Sequence, residues 1–104
     1  MMNSDREVLE GVQRQGEDEV IAYTLDVSAI GAAPSSPVVV VKDVTAGSVV
    51  TSTVMPVNAP TADGAVITLS PLRSLVIDHL YRVEVTYNLA GNTLESYFFV
   101  QAEV

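Results

Sequence analysis

The chain predicts an all-β fold, an antiparallel sandwich of about seven short strands. Three observations carry this expectation. The apolar residues are heavily β-branched, with the run Val38-Val39-Val40-Val41 as the extreme case, and such side chains suit a pleated, half-buried surface. Residues 81–87 alternate, with Tyr81, Val83, Val85 and Tyr87 facing one way and Arg82, Glu84 and Thr86 the other. Turn signals built from Gly, Pro, Asn and Asp recur about every ten residues. A chain of 104 residues is expected to form one domain, and 48% hydrophobic content supplies its core.

The first stretch, residues 1–19, is polar. Six acidic residues stand against Arg6 and Arg14, a net −4 that is half the charge of the whole chain. Val8, Leu9 and Val12 have roughly helical spacing, but Gly11 and Gly16 weaken a helix. The expectation is a flexible acidic N-terminal arm over 1–19, with the sandwich over 20–104.

Residues 20–27 alternate and predict a first strand, with Ile21, Tyr23, Leu25 and Val27 inward. Residues 28–37, rich in Ala, Ser, Gly and Pro, predict a crossover loop whose small side chains allow close backbone approach. Strands are expected over 38–44 and, more weakly patterned, over 49–55. Pro56 and Pro60 place the next segment at a sheet edge, because proline cannot donate to a ladder. A short strand is expected over 65–69, then a corner over 71–79 with one helical turn at 72–75, and a long strand over 80–89. Tyr81 and Leu75 are expected to fix that corner.

The last hairpin permits a register argument. A two-residue Gly91-Asn92 turn pairs Ala90 with Thr93, and then Leu89 with Leu94, Val85 with Phe98, Val83 with Val100, and Tyr81 with Ala102. A three-residue loop would turn Glu95 and Glu103 into the core, where unpaired carboxylates are costly. The two-residue turn is therefore expected. It places Tyr97 and Phe99 on the outer face beside Glu84 and Thr86, and these four residues form the candidate protein-contact patch.

Catalytic patterns do not stand out. The chain has no cysteine, so disulfides and thiolate metal sites are excluded. His79 is the sole histidine, and it neighbours Asp78, but adjacent strand residues face opposite ways and form no dyad. No Gly-x-Ser-x-Gly elbow or Gly-rich phosphate loop is present. The acidic triplet Glu17-Asp18-Glu19 could attract calcium, but three consecutive acids in an arm are expected to be solvated. A non-enzyme without cofactor or metal is the expectation. A net charge of −8 and a pI near 4.2 argue against binding nucleic-acid phosphates. Residues 1–20 do not read as a secretory signal, and no apolar run approaches the roughly 20 residues of a membrane span, so an unexported product without membrane association is expected.

Two sets of residues carry a resemblance. They are Asp18-Glu19-Val20-Ile21-Ala22-Tyr23-Thr24-Leu25-Asp26, and the series from Pro37-Val38-Val39-Val40-Val41-Lys42-Asp43-Val44-Thr45 through Thr53-Val54-Met55-Pro56 and Tyr81-Arg82-Val83-Glu84-Val85 to Tyr97-Phe98-Phe99-Val100. Together these resemble small, cysteine-free structural proteins of tailed bacteriophages and prophages, over most of residues 18–104. The Leu75-to-Val85 corner is similar to that of immunoglobulin-like and fibronectin type III sandwiches, although the tryptophan usual in the type III family is absent. The resemblance implies a virion component made in the host cytoplasm: a capsid decoration or cementing protein, a head–tail connector, or a tail part. Its implied partners are capsid or tail subunits, with homo-oligomers in the assembly, and no functional residue carries over. The alternative expectation is an immunoglobulin-like binding module, an adhesin or carbohydrate-binding domain of a larger bacterial surface protein.

Overall fold

The computed structural model describes residues 7–103, with side chains from residue 11. The fold is all-β: two sheets enclose one core, and a single short helical turn, α1 (Thr51–Val54), lies between strands. The larger sheet holds five strands: β1 (Glu7–Gly16), β3 (Ser35–Asp43), β4 (Ser48–Val49), β7 (Leu80–Leu89) and β8 (Asn92–Glu103). Their spatial order is β1-β8-β7-β3-β4. The smaller sheet holds β2 (Thr24–Asp26), β5 (Thr61–Asp63) and β6 (Val66–Thr68) in the order β2-β6-β5.

The β7–β8 hairpin forms because period-2 alternation gives each strand one apolar face. Tyr81, Val83, Val85 and Tyr87 are buried, as are Phe98, Val100 and Ala102 on β8. They meet Val39 and Val41 from β3, and Leu25 and Ile67 from the facing sheet. The register differs from the expected one by two residues. The turn is Ala90-Gly91, Leu89 pairs with Asn92, Val83 with Phe98, and Tyr81 with Val100. A slip of two preserves every face, so the expected core and outer residues stand. Ala90 takes φ 52° and Gly91 φ 82°, the two positive values a primed turn requires. The left-handed conformation costs a non-glycine residue about 1–2 kcal/mol. In return the ladder runs further at the other end, where Ala102 N–H donates to His79 O at 3.0 Å and Asp78 N–H to Ala102 O at 3.0 Å.

Three other expectations change. Residues 7–16 of the expected flexible arm form β1, an edge strand running parallel to β8, so the large sheet is mixed rather than purely antiparallel. Residues 1–6 of that arm lie outside the described residues. The strand expected over 49–55 ends at Val49 and turns into α1. Thr51 Oγ1 accepts the Val41 amide at 2.9 Å, and this bond replaces a ladder partner and tips the chain inward, burying Val54 and Met55. The helical turn expected at 72–75 does not form: Leu72 bridges Ile21 with reciprocal hydrogen bonds of 2.8 and 3.1 Å, and Ser74 takes a left-handed φ of 59°.

The first expected strand shortens to β2, although its neighbours keep pairing: Leu69 N–H donates to Tyr23 O and Val27 N–H to Ala65 O, each at 2.9 Å. The small-residue loop makes a close approach within the chain. A Cβ on Gly31 would stand 2.5 Å from Leu89 Cδ2, so a larger residue there would require the Leu89 side chain to move. Among the described residues no helix is long and apolar enough to cross a membrane.

Candidate functional site

The five-stranded sheet packs one face on the core, and no strand or helix of the described residues lies across the other, open face. Alternation assigns the open face from the sequence upward. β8 contributes Tyr97 and Phe99, β7 contributes Arg82, Glu84 and Thr86, β3 contributes Val38, Val40 and Lys42, and β1 contributes Val12 and Arg14. The ladder sets Glu84 opposite Tyr97, Arg82 opposite Phe99, and Thr86 opposite Glu95. The four residues of the expected patch therefore share one face, each shifted against its neighbour by the two-residue slip.

Tyr97 and Phe99 are half-buried and pack edge to face, with centroids 5.7 Å apart and planes at 77°. The Arg82 guanidinium lies 4.1 Å from the Tyr97 ring centre, a cation–π contact. Arg82 Nε lies 2.9 Å from Glu84 Oε2, close but poorly aligned for a hydrogen bond. Lys42 Nζ approaches Glu84 Oε1 at 3.3 Å. The centre of the face is thus a Lys42–Glu84–Arg82 chain of charges with an aromatic pair beside it. β1 flanks the aromatics within the sheet, with Val12 opposite Phe99, and does not lie across them. Val12, Val38 and Val49 project around this centre at 47%, 57% and 64% exposure.

Tyr81 and Leu75 hold the corner below the face. Both are buried, and the Tyr81 hydroxyl accepts the Val76 amide at 2.8 Å, tying the strand back to the residue five positions earlier. Burial pushes the Tyr81 phenol up, the Val76 bond opposes this, and the Asp43 carboxylate adds to the rise.

Two polar constellations escape sequence reasoning. Gln15 is fully buried: its Nε2 donates to Leu72 O at 2.7 Å and Glu19 O at 3.0 Å, and its Oε1 accepts from the Tyr23 hydroxyl at 3.0 Å. Tyr23 in turn packs on Phe98 at 5.2 Å. Nothing in the local pattern of an acidic, glycine-containing stretch marks one glutamine as a core residue.

The second constellation joins His79 Nδ1 to Asp43 Oδ2 at 2.7 Å, across 36 residues. Asp78, the sequence neighbour, takes no part in it. Asp43 is buried, and its Oδ1 accepts the Ala46 amide at 2.9 Å, bracing the turn after β3. Burial pushes the Asp43 carboxyl up, but the His79 bond and the turn amides outweigh it and hold the group below its ordinary value. An open hollow of about 320 Å³, lined by Lys42, Asp43, Val44, Gly47, Ser48 and Val49, lies beside this turn. His79, the long-range partner of this turn, carries no signal in the local sequence.

The acidic triplet forms part of a tight turn, in which Gly16 N–H donates to the Glu19 carboxylate at 2.6 Å. Among the described residues no three His, Asp or Glu side chains gather as metal ligands would. No family model matches the chain, and neither a curated protein nor a solved structure matches it.

Proposed function

We propose that the chain is a non-enzymatic structural component of a phage virion, an immunoglobulin-like sandwich that binds repeated capsid or tail subunits through the open face of its large sheet. The observation carrying the binding role is the composition of that face. Three of the chain's five basic residues, Arg14, Lys42 and Arg82, stand on it with Tyr97 and Phe99, in a protein of net charge −8. Aromatics and arginine are the residue types that interfaces concentrate. Repetition of one modest contact over many copies supplies avidity.

Strand order supports the immunoglobulin-like reading. The order β2-β6-β5 parallels B-E-D, and β8-β7-β3-β4 parallels G-F-C with an added edge strand. Tyr81, at the start of β7, occupies the place of the tyrosine corner. The virion assignment itself rests on the resemblance over residues 18–104, and it makes the host cytoplasm the site of synthesis. The carbohydrate-binding alternative fits the face less well, because Arg82 already occupies one side of the Tyr97 ring and Phe99 packs against the same ring. Mass spectrometry of purified virions should find the chain in a fixed ratio to a capsid or tail protein. Virions consistently lacking it would refute the assignment.

A further inference from the structure

We propose that β1 is an exchangeable strand: the matching segment of a second copy takes its seat on β8, joining two sandwiches by reciprocal strand swap. This goes beyond the virion reading and does not depend on it. Three features of the molecule lead to it.

The seat is one that needs an occupant. β7 pairs one side of β8, and β1 alone covers the other side in parallel. With β1 gone, β8 is a long bare edge with unpaired amides and carbonyls, which readily takes up another strand.

The occupant is also held in a way a second copy reproduces. Among the described β1 side chains, residues 11–16, only Gln15 is buried, and the one apolar group, Val12, is 47% exposed. Departure of β1 opens the ladder, the Gln15 pocket and the exposed Arg14–Glu103 ion pair at 3.5 Å, with no buried apolar side chain lost from residues 11–16. The pocket's partners outside the hinge, Leu72 O and the Tyr23 hydroxyl, are available to an incoming Gln15 in the same geometry, while the Glu19 O contact belongs to the turn that opens. The ladder is also interrupted near its start, where the register shifts between Glu7 and Val12 and Gly11 takes φ 70°.

The connection after β1 suits a hinge. The chain reverses within Gly16 to Glu19, where Glu19 N–H returns to Gly16 O at 3.0 Å. That turn is short and solvent-facing, and its opening gives up only local bonds, the Gly16 N–H to the Glu19 carboxylate at 2.6 Å among them. A swap repeats the closed-form contacts outside the hinge and gives up those that close the Gly16–Glu19 turn, so concentration sets the balance between the forms.

The test exploits the absence of native cysteine. Arg14 and Gln101 are register partners across β1 and β8. The double variant R14C/Q101C is oxidised alone, and separately R14C is mixed with size-tagged Q101C. The double variant should close within one chain at low concentration. The mixed single variants should give a covalent heterodimer whose yield rises with concentration, while R14C mixed with tagged S52C, on the exposed helical turn, gives none. Intrachain closure without heterodimer overturns the proposal. So does a heterodimer that S52C forms equally well, since that reports collision, and so does failure of the double variant to close, since β1 would then not sit on β8.

Discussion

β8 has two neighbours, and they are attached by different physics. On the β7 side, ten register pairs run antiparallel over a face of Val, Tyr and Phe that the core excludes from water. On the β1 side, a parallel ladder with an interrupted register carries, among the described side chains, one buried amide and an exposed Arg14–Glu103 ion pair. The first attachment draws on the hydrophobic effect, non-directional and proportional to area. The second draws on directed hydrogen bonds, worth little net when made and costly when left unmade. A sandwich can thus have a core that is hard to disrupt and, on the same strand, an edge that is easy to release.

Val83→Asp gives the largest expected effect and tests the first attachment. The substitution places a carboxylate among Val41, Val85 and Phe98, where no cation is on hand. A loss above about 4 kcal/mol is expected, enough to abolish cooperative unfolding at room temperature. A variant with a near-native melting curve would show that the inner face of β7 is not the core.

Gln15→Leu tests the second attachment. It strands Leu72 O, Glu19 O and the Tyr23 hydroxyl, at a cost of about 1–3 kcal/mol. The loss should be local, with faster amide exchange in β1 than in wild type while Val83 and Phe98 remain protected. Uniformly faster exchange across both strands would mean that β1 and the hairpin form one cooperative unit.

These two sites also mark what the sequence makes legible. The alternation in β7 and β8 declares which residues are inside, because a strand pattern is local and has period 2. The two-residue slip was invisible to that pattern because it leaves every face unchanged, and the turn gave poor guidance when Ala90 took the left-handed conformation. The β1 strand was illegible for the opposite reason. Its pairing depends on Gln15 reaching Leu72, 57 residues away, and its own composition resembles a solvated arm. The open-face patch was legible in membership, since Tyr97 and Phe99 face outward in either register, but its Arg82 and Lys42 contacts needed the real one.

A smaller effect is expected from pH at the Asp43–His79 contact. The folded state holds the Asp43 carboxyl below its ordinary value of 3.8. A group lowered in the folded state contributes stability above its unfolded pKa and loses it as pH falls through the folded one. The contribution should therefore be full at neutral pH and disappear below about pH 4. In Asp43→Asn the melting temperature should fall at neutral pH, and its decline between pH 5 and 2 should be shallower than in wild type. Parallel curves for the two proteins would remove Asp43 from the acid response.

Phe99→Ser should have the smallest effect on folding and the largest on assembly. Phe99 is half-buried on the open face, beside Tyr97 and opposite Arg82, and outside the hydrophobic core. Its removal costs the fold the edge-to-face contact and a little covered surface, about 1 kcal/mol. At an interface the same side chain would be an anchor, and truncating an anchor commonly costs about 2 kcal/mol or more, some thirtyfold in affinity. On the proposed virion reading, binding to capsid or tail subunits, followed by cosedimentation, should therefore drop while the melting temperature moves by only a few degrees. A large fall in melting temperature with assembly intact would place Phe99 in a supporting role for the fold and move the contact surface elsewhere on the sheet.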